Sequence, residues 1–234
     1  MNGITLWMAF VDAIPVVIFL IANLLLMKDF GEDTREKGLT GYMLFSAGAI
    51  MLFAGAILKL GWKTMYALNI CDYPTFSESF FPMQTLGFCI LSMGLIDYIS
   101  KDRKKAKIGK IVFGVIMFAI CTFFVLAFSG AAKEGFVPEG TEVFVYESHM
   151  PFLLGTFIGF MTMQVLLMII AAKRKAKLFI IAFVVSAIFM IVQVFAGSMF
   201  SGTSAEHWFA QITNIVAESA LLIGAWGLTK NKNK

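Results

Sequence analysis

Four polar residues near the C-terminus carry the clearest chemistry in the chain. His207, Gln211, Asn214 and Glu218 follow one another at spacings of four, three and four. On an α-helix that spacing gathers them within an arc of about 60° on one face. At ~1.5 Å of rise per residue, Glu218 lies about 16 Å along the axis from His207. The surrounding residues are apolar enough for a membrane span, which puts Glu218 near the midplane of a bilayer. A carboxyl in hydrocarbon is expensive and faces a partner, a cavity or a ligand. There it could hold a cation, exchange a proton or take hydrogen bonds from a small molecule. Five further residues are candidates for the same site: Asp12, Lys59, Gln84, His149 and Gln193.

The elements that must position these groups follow from composition. The chain has 234 residues, of which 59% are hydrophobic and 15% charged, with a mean hydropathy of +0.82. Soluble domains carry more charge and less apolar mass, so the expected solvent is lipid. A membrane helix needs about 20 mostly apolar residues. Seven stretches qualify: 4–27, 41–60, 80–99, 108–130, 150–172, 178–199 and 208–228. The first has no Lys or Arg ahead of it and too long an apolar run for a signal peptide, so it reads as a mature helix. The sequence therefore predicts an all-α, polytopic membrane protein, one domain over 1–234 with seven transmembrane helices.

Charge placement predicts the orientation. Segments 28–40, 100–110, 173–177 and 229–234 hold 3, 6, 4 and 3 basic residues, which is 16 of the 19. Basic loops stay in the cytoplasm, so the N-terminus is expected outside, the C-terminus inside, and the host is expected to be a bacterial cytoplasmic membrane. These runs lie against helix ends and do not suggest nucleic acid. The outer side is acidic, with Asp72, Glu78, Glu134, Glu139, Glu142, Glu147 and Glu206, a weak funnel for cations. The loop 61–79, with Trp62, Tyr66 and Tyr73, is expected at the interface or over the helix ends.

With that topology, Asp12, Lys59, Gln84, His149 and Gln193 all fall in the outer half. The inner half is sparse, with Asn23, Ser46, Gln164 and a solvated Asp97. The expectation is an outward-facing pocket between helices 1, 2, 3, 6 and 7, floored by Glu218, with Asp12 able to pair with Lys59. Pro15 should kink helix 1. Gly155 and Gly159, Gly48 and Gly55, and Gly87 and Gly94 read as close-packing positions. Helices 1–3 and 5–7 share one orientation sequence. Aligning helix 3 on helix 7 pairs Gln84 with Gln211 and Ser92 with Ser219, a weak sign of a 3+1+3 repeat.

The architecture resembles the broad group of small seven-helix proteins that includes SWEET sugar carriers and microbial rhodopsins, in length, helix number and orientation. Asn214-Ile-Val-Ala-Glu218 looks like the Asp-x-x-x-Lys of rhodopsins, but Glu stands where the retinal-binding Lys would be, so no Schiff base can form there. No SWEET motif is present. What the resemblance implies is a ligand pocket among helices.

Binding or transport of a small polar or cationic molecule is thus the first reading. A membrane-embedded enzyme acting on outer-leaflet lipid through His149 and His207 is a second. A sensor or accessory subunit, docked on a partner membrane protein, is a third, and a homo-oligomer stays open. No HExxH, GxSxG, Walker A, dinucleotide or CxxCH motif is present, and Cys71, Cys89 and Cys121 have no ligand spacing. No cofactor and no metal are expected.

Overall fold

A computed structural model of the chain describes residues 5–37, 39–72, 76–77, 79–100, 104, 107–116, 118–119, 122, 150–199 and 204–232, with the backbone alone at 32–37, 39, 150–151, 194–199 and 204–207. All regular structure among the described residues is helical. The helices are α1 (Leu6–Lys37), α2 (Leu39–Ala67), α3 (Phe80–Ile99), α4 (residues 107–116), α5 (Met150–Lys173), α6 (Lys177–Met199) and α7 (Ser204–Lys230). Five of them, α1, α2, α3, α5 and α7, are long and apolar enough to cross a membrane, and α6 adds a shorter apolar stretch, Lys177–Gln193. Large side chains such as Trp7, Phe10, Ile50, Leu154, Ile181 and Ile212 are exposed on the outer faces of these helices. Water would not tolerate apolar patches on α1, α2, α5, α6 and α7 together. The chain is therefore read as an integral membrane protein.

Among the described residues, six helices close a ring in the order α1, α2, α3, α5, α6, α7 and back to α1. Its interior is filled by Phe19, Phe30, Phe45, Leu91, Phe160, Leu167, Phe183 and Leu221. The described part of α4 meets α3 through Lys110 Nζ, which donates to Asp97 Oδ1 at 2.6 Å. It leaves Ile108, Ile111, Val112 and Val115 exposed. Asp97, expected to be solvated, is thus half-buried and paired.

Between α2 and α3 the backbones touch. A Cβ added at Gly94 would stand 2.4 Å from the Phe45 nitrogen, and one at Gly48 would stand 2.5 Å from the Leu91 nitrogen. The α3–α5 seam is polar. The Thr85 hydroxyl donates to the Phe152 carbonyl at 2.8 Å, and the Ser92 hydroxyl donates to the Gly159 carbonyl at 2.9 Å. Between α5 and α6, Gln164 Nε2 donates to Ser186 Oγ at 3.0 Å.

Several helices outrun their hydropathic windows. α1 runs on to Lys37 and α2 to Ala67 because neither charge nor length breaks a helix, whereas left-handed residues do. Asn69 (φ 55°) ends the α2 turn and Lys175 (φ 57°) the α5 turn. In both, paired backbone bonds close a Schellman motif: Ile70 N to the Met65 carbonyl and Asn69 N to that of Tyr66, then Ala176 N to Ala171 and Lys175 N to Ala172. Trp62, expected in an interfacial loop, is instead a buried residue of α2. Its Nε1 donates to Asp72 Oδ1 at 3.0 Å, tying the helix to the segment beyond it. Trp62→Phe should keep most of the packing and lose that bond, lowering thermal stability in detergent by about 1 kcal/mol. A melting curve identical to wild type would contradict this role.

Candidate functional site

α7 lies along α1, and two bonds fix how. Gln211 Nε2 donates to the Met8 carbonyl at 3.3 Å, and Lys232 Nζ donates to the Asp29 carbonyl at 2.9 Å, both between residues 203 apart. The two helices are therefore parallel and in one constant register. A seven-residue step returns an α-helix to nearly the same face. The seam then has four rungs: Met8 with Gln211, Pro15 with Glu218, Ala22 with Ala225, and Asp29 with Lys232. Ala22 and Ala225 are each 0% exposed, as expected for facing residues at the centre of a seam.

Glu218 thus stands at the level of the proline of α1. Pro15 is buried and has no N–H, so it cannot supply the helical bond to the Val11 carbonyl. Glu218 itself is 9% exposed, and its Oε2 is buried with no hydrogen-bond partner. The same holds for Gln211 Oε1 and Gln193 Oε1. α6 runs antiparallel to α7, with Phe183 against Gly224 and Phe179 against Gly227. That register puts Gln193 at the level of Asn214. Gln211, Asn214 and Glu218 accordingly share one band of the α1–α7 seam, within about 10 Å along α7, whereas Gln193 stands at that height on the α6 side, because Gly224 and Gly227 lie about 160–220° around α7 from Gln211.

The other candidates have gone elsewhere. Asp12 forms its ion pair with Lys63, not with Lys59. Lys63 stays on the helix because α2 extends past residue 60, and it reaches α1 one turn further on. Lys59 Nζ sits 4.1 Å from the centroid of the Phe80 ring. Gln84 Nε2 donates to the Leu52 carbonyl on α2 at 3.3 Å, on the α2–α3 side of the ring. His149 lies outside the described residues, and of His207 only the helical backbone is described. Of the acidic funnel, Asp72 has a described side chain, and it is held by Trp62.

The expected open pocket differs from what is observed. Gln211 and Glu218 are both buried on the face of α7 that bonds α1 at Met8, so the carboxyl is enclosed and not the floor of an open cleft. Two surface grooves lie elsewhere: an apolar one on α1 at Ala13, Ile14, Val17 and Ile18, and a polar one at the Lys-rich end. The reason is the close α1–α7 approach, with alanine at the third rung and the Gln211 bond at the first.

The Lys-rich end, expected to be sparse in buried polar groups, is not sparse. Asp29, which hydropathy places in a loop, is on α1, with its side chain 1% exposed and ion-paired to Arg174. Arg174 Nη1 also donates to the Leu228 carbonyl at 3.2 Å, and its Nη2 donates to the Tyr98 hydroxyl at 2.9 Å. Burial lowers the Arg174 pKa, but the hydrogen bonds and attraction of Asp29 and Tyr98 outweigh it and raise the value overall, keeping the charge. Sequence reasoning assigns this arginine to topology alone. The signal it passes over is the lone arginine in Lys173-Arg-Lys-Ala-Lys177, since a guanidinium forks to several acceptors where an ammonium does not.

Comparison with protein-family models, with curated proteins and with solved structures gives no match. Among the described residues, no group of three or more His, Cys, Asp or Glu could hold a metal ion.

Proposed function

We propose that this chain is a seven-span protein of the bacterial cytoplasmic membrane, with its N-terminus outside and C-terminus inside, that binds or transports a small polar or cationic molecule at Glu218. The observation that carries the reading is the enclosed carboxyl at the Pro15 level of α1, with one oxygen unpartnered. A packed seam with no use for a polar group would hold an apolar residue there, because an unmade hydrogen bond in hydrocarbon costs free energy. Gln211 and Asn214 supply acceptors and amide donors in the same band for a polar ligand. The carboxylate favours a cationic or amine group, or it carries the coupling proton. The enclosed arrangement is the occluded state of such a site, and ligand enters when α7 parts from α1 on the outer side.

The skew of basic residues supports the orientation. Two three-helix units, α1–α3 and α5–α7, joined through the α4 span, fit a 3+1+3 repeat, and the site then lies where the two units meet.

The test uses purified protein in liposomes. Wild type is expected to take up or be thermally stabilised by a member of a panel of small polar and cationic solutes, or to carry protons read by an internal pH dye. Glu218→Gln, nearly isosteric, should lose that activity while remaining monodisperse. Equal behaviour of wild type and Glu218→Gln in all three assays would sink the reading.

A further inference from the structure

The chain holds its two ends together by different means. Toward the outer end, the ties between the units α1–α3 and α5–α7 among the described residues are neutral: Gln211 to the Met8 carbonyl, Thr85 to the Phe152 carbonyl, and Thr85 with the Thr156 hydroxyl at 3.0 Å. At the Lys-rich end they are ionic and converge on one point. Arg174, on the turn between α5 and α6, is ion-paired with Asp29 of α1 and bonded to Tyr98 of α3 and to the α7 carbonyl of Leu228. Lys232, just past α7, holds the Asp29 carbonyl and lies 3.4 Å from its Oδ1. All of these but the Leu228 bond join one unit to the other.

A buried ion pair is a weak source of stability, because desolvation offsets most of its attraction, and its best-attested use is to select one of two arrangements. We propose that Asp29, Arg174, Tyr98 and Lys232 form a cytoplasmic latch that keeps the inner end of the α1–α7 seam shut, so that its release opens the Glu218 site to the cytoplasm. This rests on the transport reading given above for Glu218.

The seam supports such a device. Above the latch the next rung is Ala22 with Ala225, two methyl groups, and the rung after that is Pro15 with Glu218. The rungs themselves carry nothing bulky, and the buried Phe19, Leu26, Leu221 and Leu228 that flank them part with the helices once the ion pair lets go. On the flank of the latch a groove of about 220 Å³ is lined by Leu25, Lys28, Asp29, Thr229 and Lys232. It brings solvent to the edge of Asp29 and gives the parted side chains a place to be hydrated. The neutral outer ties and the ionic inner ones also differ in how they are broken. The outer ones yield to small helix shifts, whereas the inner one holds until its charges are separated.

The experiment places a reporter at the third rung. Ala225→Cys is made in protein carrying Cys71→Ser, Cys89→Ala and Cys121→Ser, and reconstituted in vesicles of known orientation. A charged, membrane-impermeant methanethiosulfonate is then applied to each side. With the latch intact, labelling from the cytoplasmic side should be slow. Asp29→Asn or Arg174→Gln should speed it by about tenfold, equivalent to about 1.4 kcal/mol of lost closing free energy. The exchanged pair Asp29→Arg with Arg174→Asp should slow it again. Tyr98→Phe removes one donor's partner without stranding a charge, and should give a smaller acceleration even where the charge variants do not yield monodisperse protein. Unchanged labelling in monodisperse variants overturns the latch, and so does equal acceleration from both sides, which signals general loosening. The readout does not use Glu218, so an inactive result with Glu218→Gln and an unresponsive thiol in the Ala225→Cys protein are separate failures.

Discussion

Gly94→Leu should leave no monodisperse protein in detergent, and Gly94→Ala should already melt well below wild type. At Gly94 an added Cβ would lie 2.4 Å from the Phe45 nitrogen, 2.7 Å from the Gly41 carbonyl oxygen and 2.9 Å from the Phe45 Cα. All three are backbone atoms, so no rotamer change can make room. Helix α2 would have to move off α3, and with it Phe45, which packs edge-on against Phe30 at 5.1 Å between centroids. Overpacking of side chains costs about 1–3 kcal/mol where the core can give way, and here the obstacle is main chain, so we expect about 3 kcal/mol for alanine and failure of assembly for leucine. Gly61→Ala is the control. It lies on α2, the helix that faces Gly94, with nothing within 4 Å of the added atom, and alanine has the higher helix propensity. Gly61→Ala should melt at or above wild type. If Gly94→Ala did the same, the α2–α3 contact would not be as close as described.

Breaking one half of the Asp29–Arg174 pair should cost more than removing both. Arg174→Gln leaves a carboxylate whose side chain is 1% exposed. Removing one partner of a buried pair typically costs about 3–5 kcal/mol because it strands the other charge, and removing both strands none. Asp29→Asn strands the guanidinium less severely, because Tyr98 and the Leu228 carbonyl still accept from it. The double variant should therefore be more stable than Arg174→Gln alone. Melting temperatures of the four proteins in one detergent form a double-mutant cycle. Strictly additive shifts would mean that the two groups do not sense each other, whatever their separation in space.

Both predictions concern contacts between helices, and the limit of what can be read from the chain lies there. The helical class, the apolar spans and the stripe on the last helix are properties of single segments. A run of about 18 or more apolar residues has few other fates, and a spacing of four, three and four has one meaning on a helix. Gly48, Gly87, Gly94 and Gly159 are also legible as close-approach positions, because small residues in membrane helices serve little else. Glu218 is legible as the residue with no bland explanation.

Partner choice is not legible, for a physical reason. Lipid tails are as apolar as leucine, so a face that meets lipid and a face that meets a neighbouring helix have the same composition. Hydropathy therefore says that α1 and α7 span, but not that they run parallel in a register of 203 residues. That register sets Glu218 at the level of Pro15, on a buried face where polarity suggests an open pocket. The height of α2 likewise sets Lys63 rather than Lys59 against Asp12, since one helical turn decides which ammonium reaches α1. Asp29 and Arg174 are 145 residues apart, and each sits among charges that topology fully explains. Only the folding of α1 and the α5–α6 turn onto one point takes both from water and makes them a pair. Residue order alone thus specifies a helical, lipid-solvated chain with a carboxyl it must shelter. What shelters that carboxyl is settled by packing, because it depends on the relative height and rotation of helices, which no single segment encodes.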